Sequence, residues 1–190
     1  FRNFCISLPG RFQIRNAVVA LASASILEHQ YGFKLTESRM RRGLLEAFWP
    51  GRFEIVKRGS RTFVLDGAHN GASMNEAAAA FNSFFPSKKK IVILGTSREK
   101  NLTAILKPLL PVTSSFIVTK SNNPRAQEPK FVLETLSKMG YKKPALWFMN
   151  LKEALTTVNK LDLRNTVILI TGSLFLVGEA RELLKCQKFI

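Results

Sequence analysis

The feature that most constrains this chain is an alternation that opens at Phe63-Val64-Leu65-Asp66-Gly67-Ala68-His69-Asn70. A short apolar run of β-favouring residues ends in an acid, a glycine, a histidine and an asparagine. An alanine-rich pattern follows, with Met74, Ala77, Ala78, Phe81 and Phe84 at the spacing of one helix face. The same grammar holds from residue 53 onward. Strands are expected over residues 53–57 and 62–65, joined by a turn at Arg58-Gly59-Ser60, and again over 91–94, 116–119, 145–148 and 166–170. Helices are expected over residues 102–109, from Pro129 to 139 with proline at its permitted first-turn position, behind an Asn150 cap to 160, and over 177–185. Short, nearly all-apolar strands between amphipathic helices imply a mainly parallel sheet covered on both faces. The expected class is therefore α/β: a doubly wound, mainly parallel, Rossmann-like sheet with helices on both faces.

The residues before 50 follow a different pattern. A short strand is expected over residues 4–8, stopped by Pro9-Gly10. Ile14, Val18, Leu21, Ala22 and Ser25 then fall at helical spacing, predicting a helix over residues 13–28 that closes at Tyr31-Gly32-Phe33. A second helix starts behind Thr36, an N-cap three residues before Arg39, and runs to residue 47. Phe48-Trp49-Pro50-Gly51 interrupts the pattern, and the domain boundary belongs there. The opening Phe1-Arg2-Asn3-Phe4-Cys5-Ile6 reads as the middle of a strand, so the chain is expected to be a piece of a longer protein.

In a doubly wound sheet, ligands sit beyond the carboxyl ends of the strands. Here that rim would gather Asp66, His69 and Asn70; Thr96, Ser97, Arg98 and Lys100; Ser121, Asn123 and Arg125; and Thr171, Gly172 and Ser173. An acid, a histidine, hydroxyls and cations on one rim suit a ligand that carries phosphate and carboxylate. Plainer roles compete with this. Asp66 or Asn70 could cap the following helix, and His69, one of two histidines, could be a structural hydrogen-bonder; the other, His29, belongs on the surface. Ser173 lies in Thr-Gly-Ser-Leu-Phe, not in a Gly-x-Ser-x-Gly elbow, which argues against a serine hydrolase. The sequence has no Gly-x-Gly-x-x-Gly after a strand, no Walker phosphate loop and no metal-ligand spacing. Lys plus Arg number 29 against 13 acids, a formal charge of +16 that favours anionic partners. The excess is scattered, and its longest run is only Lys88-Lys89-Lys90. The two cysteines, Cys5 and Cys186, match no redox or metal spacing and read as free thiols in a reducing compartment. No apolar run is long enough to span a bilayer.

Four motifs in series resemble folylpolyglutamate synthase and dihydrofolate synthase, members of the Mur ligase superfamily. They are Leu8-Pro9-Gly10-Arg11-Phe12-Gln13-Ile14-Arg15-Asn16, Trp49-Pro50-Gly51-Arg52-Phe53-Glu54, Asp66-Gly67-Ala68-His69-Asn70 and Thr171-Gly172-Ser173-Leu174-Phe175. The resemblance covers nearly the whole chain. It implies that residues 1–48 end the ATPase domain, 49–52 form a hinge, and 53–190 are a Mur ligase-type carboxyl-terminal Rossmann-like domain. It further implies ATP binding through Asn16 on the adenine side, Arg52 at the phosphates and Asp66 at the ribose. His69 and Ser173 are its candidate catalytic residues, near the folate glutamate tail and the incoming glutamate. Two positions depart from the family pattern. Phe175 stands where tyrosine is common, and Arg98-Glu99-Lys100-Asn101 replaces an Asp-Lys-Asp segment.

The activity this resemblance implies is ATP-dependent addition of L-glutamate to a folate or to dihydropteroate. ATP turns the acceptor carboxylate into an acyl phosphate, and the amine of glutamate then attacks it. The tetrahedral intermediate needs preorganised donors, and closure about Pro50-Gly51 would exclude water. ATP with Mg²⁺ is the expected cofactor set, with the phosphate loop and metal ligands upstream of Phe1. The partners are the folate or dihydropteroate, glutamate and the missing amino-terminal ATPase domain, with no nucleic acid and no membrane. A cytoplasmic monomer is expected. The competing reading is a non-catalytic basic α/β module that binds nucleotide or RNA.

Overall fold

The structure, a computed structural model, describes residues 3–32, 34–161 and 163–186. It divides into two compact units, Phe1–Pro50 and Gly51–Ile190.

The first unit is built on two helices, α1 (Phe12–Tyr31) and α2 (Glu37–Glu46). α1 ends because Gly32 takes the left-handed conformation and donates its N–H to Glu28 O at 3.2 Å. Its buried residues are Gln13, Ala17 and Leu21, a stripe rotated from the expected one, while Ile14 and Val18 are exposed. α2 begins where expected, with Thr36 Oγ1 accepting the Arg39 N–H. The strand expected over residues 4–8 does not form. Among the described residues that segment pairs with no strand; Ser7 instead donates its N–H to Leu44 O at 3.1 Å and its hydroxyl to the carbonyls of Leu44 and Ala47, tying the extended chain to the end of α2. Phe1, Arg2 and Phe33, which figured in the sequence reading, lie outside the described residues.

In the second unit β1 (Glu54–Arg58), β2 (Arg61–Asp66), β3 (Lys89–Leu94), β4 (Ser115–Val118), β5 (Ala145–Trp147) and β6 (Thr166–Thr171) form one sheet in the order β1-β2-β6-β3-β4-β5. Only β1 with β2 is antiparallel. The helices between and after them are α3 (Gly71–Phe84), α4 (Leu102–Leu106), α5 (Pro129–Lys138), α6 (Leu151–Lys160) and α7 (Leu174–Leu183). Phe63, Leu65, Ile91, Ile93, Ile117, Ile168 and Ile170 face α6 and α7 in one apolar core. Their pleat neighbours, among them Val64, Val92, Leu94 and Val118, are buried on the opposite face. There α3, α4 and α5 pack side by side. This is the doubly wound arrangement that the alternating pattern predicts.

The path of the chain places the switch point. β6 returns to lie between β2 and β3, so α7 leaves one side of the sheet while α3 and α4 leave the other. Register aligns the ends: Asp66 and Leu94 both pair with Thr171. The strands come so close here that only glycine fits after β6. Gly172 has φ +102°, and a Cβ on it would lie 2.6 Å from Gly95 O.

Element boundaries differ from expectation in instructive places. α7 starts at Leu174 with Ser173 as N-cap, three residues before the expected start. Leu174 and Phe175 are exposed although apolar, so the buried stripe of the helix begins only at Leu176. α4 stops at Leu106, short of the expected residue 109. Phe84 is exposed at the end of the α3 stripe, although its ring centroid lies 5.3 Å from that of Phe53.

Candidate functional site

The polar turns at the carboxyl ends of β2 and β6 are bonded to each other. Gly172 donates its N–H to Ala68 O at 3.0 Å, and Thr171 Oγ1 donates to the same carbonyl at 3.4 Å. A third segment joins them: Gly67 donates its N–H to Gly51 O at 2.8 Å. Three of the four motifs singled out in the sequence therefore meet on one rim.

Asp66 is the centre of this assembly and is only 4% exposed. Its Oδ1 accepts the N–H of Ala68 and its Oδ2 the N–H of Phe53, each at 2.9 Å. It does not cap α3. Burial pushes its carboxyl above the usual range, opposed by the two backbone donors and by the nearby positive charge of Arg52. Arg52 itself is exposed.

His69 is half-buried, with Nδ1 2.8 Å from Gly67 O. A carbonyl can only accept, so Nδ1 carries the proton, and in the neutral ring Nε2 is left with its lone pair. The following Asn70 forms a capping box with Ser73 and opens α3. Ser173 is buried and caps α7, its Oγ accepting the Phe175 N–H at 3.2 Å. A hydroxyl that accepts one bond still has its proton to donate.

The loops after β3 and β4 also meet, through a bridge between Ser97 and Ala126 and the bond from Arg98 N–H to Arg125 O at 2.9 Å. Arg98 Nε donates to Ala126 O, and the Arg125 guanidinium lies 6.0 Å from the Phe175 ring centroid. Of the expected rim hydroxyls, Thr96, Ser121 and Thr171 are buried. Asn16 belongs to the first unit, where it is exposed and donates Nδ2–H to Gln13 Oε1 at 2.7 Å.

Sequence reasoning missed Glu54 and Arg181. Arg181 Nε donates to Glu54 Oε2 at 2.9 Å, and the same oxygen accepts the Gly51 N–H at 2.8 Å. Glu54 stood inside a quoted motif, but nothing in sequence pairs it with a residue 127 positions away. A cleft of about 460 Å³, lined by Ser121, Asn150 and Glu179 among others, contains none of the five expected site residues. Among the described residues no group of three His, Cys, Asp or Glu could hold a metal ion.

Fold and rim together define a doubly wound α/β domain whose candidate ligand edge lies at the carboxyl ends of β2, β6 and β3. The chain belongs to the family described as Mur ligase, glutamate ligase domain, which matches residues 51–174. It is 26% identical over 179 residues to the dihydrofolate synthase/folylpolyglutamate synthase of Bacillus subtilis, covering 94% of this chain and 40% of the relative. With the folylpolyglutamate synthase of Lacticaseibacillus casei it shares 31% identity over 180 residues, again 94% of this chain and 40% of the relative. A crystal structure of Mycobacterium tuberculosis folylpolyglutamate synthase complexed with ADP and AMPPCP superposes with a TM-score of 0.84 at 30% identity, covering 98% of this chain and 43% of that one. The chain thus spans about 40% of the length of these relatives.

Proposed function

We propose that the chain is the carboxyl-terminal part of an ATP-dependent ligase that adds L-glutamate to a folate or to dihydropteroate. Residues 1–48 end its ATPase domain, 49–52 form the hinge, and 53–190 are the carboxyl-terminal domain. The observation that supports this best is the convergence of Gly51-Arg52, Asp66–His69 and Thr171–Ser173 on one rim through backbone bonds of 2.8 to 3.0 Å. Family membership and the folate synthases among the relatives point the same way.

In this reading each rim group has a task its chemistry suits. Arg52, a permanently charged planar fork, neutralises phosphate oxygens. Asp66 sits beside the ribose and fixes the turn that carries His69. ATP supplies the phosphoryl group that converts the acceptor carboxylate into an acyl phosphate, with ADP as the leaving group, and attack by the amine then expels inorganic phosphate as the amide bond forms. His69 Nε2 is placed to take a proton from the ammonium of glutamate, freeing the amine lone pair that attacks, and the Ser173 hydroxyl to donate to a developing oxyanion or substrate carboxylate. Mg²⁺ would be held outside these residues. The protein is proposed to act as a monomer in the cytoplasm; among the described residues no helix is long and apolar enough to cross a membrane.

The test is phosphate release from ATP by the intact protein. Release that requires both glutamate and a folate or dihydropteroate is expected. Release driven by a muramyl peptide instead would move the chain to the cell-wall branch of the family, and no release with either would remove the ligase reading.

A further inference from the structure

Arg52 is presented by an unusual piece of backbone. The residues on either side of it are both left-handed: Gly51 has φ 68° and Phe53 φ 49°. For a bulky aromatic residue such a φ is an outlier, and it persists only where the surroundings over-determine it. Two largely buried carboxylates do so here. Glu54 Oε2 accepts the Gly51 N–H at 2.8 Å, and Asp66 Oδ2 accepts the Phe53 N–H at 2.9 Å. The Gly51 carbonyl is held in turn by Gly67 N–H at 2.8 Å, while Phe53 is fully buried. The position is closed on its remaining side by α7, since a Cβ on Gly51 would lie 2.6 Å from Val177 Cγ1. Arg52 therefore spans an arch pinned at both feet, with its own side chain exposed.

The Gly51 foot depends on a distant residue. Glu54 and Arg181 side chains are only 9% and 19% exposed, and their 2.9 Å ion pair crosses from β1 to α7. Arg181 fixes the carboxylate that fixes Gly51. We propose that Glu54 and Arg181 are positioning residues that hold the Arg52 guanidinium in place for a phosphate group, and that they tie this arch to α7, the helix that Ser173 caps. The proposal rests on the ligase reading for the identity of the phosphate, a nucleoside triphosphate. It adds to that reading a pair of residues that touch no substrate and act through Arg52.

A double-mutant cycle in the intact protein tests it, because a residue acting through Arg52 has nothing left to lose once Arg52 is gone. Glu54→Ala and Arg52→Ala are each expected to raise KM for ATP about tenfold or more, with KM for glutamate and folate changed less than about twofold. Glu54→Ala placed on Arg52→Ala should add less than about twofold. Glu54→Gln, whose side-chain carbonyl can still accept from Gly51, and Arg181→Lys should recover part of the loss. All variants are compared well below their melting temperatures. Equal effects of Glu54→Ala in the two backgrounds, or a change confined to melting temperature, would overturn the proposal. If the unaltered protein releases no phosphate, the ligase reading falls. The arch is then judged by amide hydrogen exchange: Glu54→Ala must speed exchange at Gly51 about tenfold while leaving Val92 in the core unchanged, and unchanged Gly51 exchange defeats it.

Discussion

Asp66 shows how one residue can look like a ligand contact and work first as scaffold. Each of its oxygens already accepts a backbone N–H, from Ala68 and from Phe53. A contact to ribose would therefore use the remaining lone pairs of a carboxylate that is already fixed. Asparagine can accept at one of these positions but presents N–H₂ at the other, so Asp66→Asn should destabilise the protein by about 1–3 kcal/mol. The effect also has a pH signature. The folded carboxyl sits above its ordinary value because burial disfavours its charge. The folded state thus keeps this proton longer than the unfolded state. The associated stability is full below the usual carboxylate range, near pH 4, and is lost as pH rises through the raised value. The stability gap between the protein and Asp66→Asn should widen as pH falls from about 7 to about 4.5 in urea titrations; a narrowing gap would show the assigned direction to be wrong. Gly172 allows a sharper test, because alanine there must adopt φ +102° and meet Gly95 O at 2.6 Å. Gly172→Ala should lower stability by more than about 1 kcal/mol and disturb Ser173 next to it.

At the scale of elements, the fold was legible wherever local chemistry and periodicity agreed. Thr36, Asn70 and Asn150 cap helices with side-chain oxygens, and each could be recognised from its own neighbourhood. The apolar runs of β2, β3, β4 and β6 were legible because both their faces are buried. The failures have physical causes too. Residues 4–8 have a strand's composition, but Ser7 bonds to the end of α2 and not to a strand, and composition cannot tell the two apart. The first two residues of α7, Leu174 and Phe175, are apolar yet exposed, so the buried stripe that marks the helix begins only at Leu176. Within the candidate site, Asp66, His69 and Ser173 could be placed at or just beyond strand ends from sequence, and the structure places them there. The roles of Glu54 and Arg181 depend on a contact between β1 and α7, which one sequence does not contain. The β1–β2 hairpin uses the same kind of remote bond. Arg58 donates to the carbonyls of Leu184 and Lys185 at the end of α7, and Arg61 to those of Asn159 and Leu161 at the end of α6. Both arginines thereby satisfy carbonyls that a helix end leaves open. Arg58→Ala should cost about 1 kcal/mol and raise amide exchange first in the last turn of α7, as read by hydrogen-exchange mass spectrometry. Uniform loss of protection across the domain would instead mean that Arg58 supports the whole sheet.

For the whole molecule, the charge of +16 is the property that neither fold nor motif explains. Part of it lies at the ligand edge, where the Ser97–Ala126 bridge brings the loops carrying Arg98, Lys100 and Arg125 together beside Phe175. On the proposed function, the acceptor is a polyanion that gains one carboxylate with each glutamate added. Exposed cations attract such a chain over a distance set by salt, about 10 Å at 0.1 M. Affinity for a folate carrying several glutamates should therefore fall more steeply with salt than affinity for one carrying a single glutamate. Replacing Arg98, Lys100 and Arg125 together with glutamine should reduce the steeper slope towards the shallower one, while KM for ATP stays within about twofold. The measurement is KM for each folate between about 50 and 200 mM salt in the intact protein. Equal slopes for the two folates, or a triple variant that keeps the difference, would separate the charge from the acceptor chain. A parallel titration with single-stranded RNA decides what the charge would then serve. Tight binding with a steep salt slope, unaffected by ATP and folate, would favour a nucleic-acid module over a ligase.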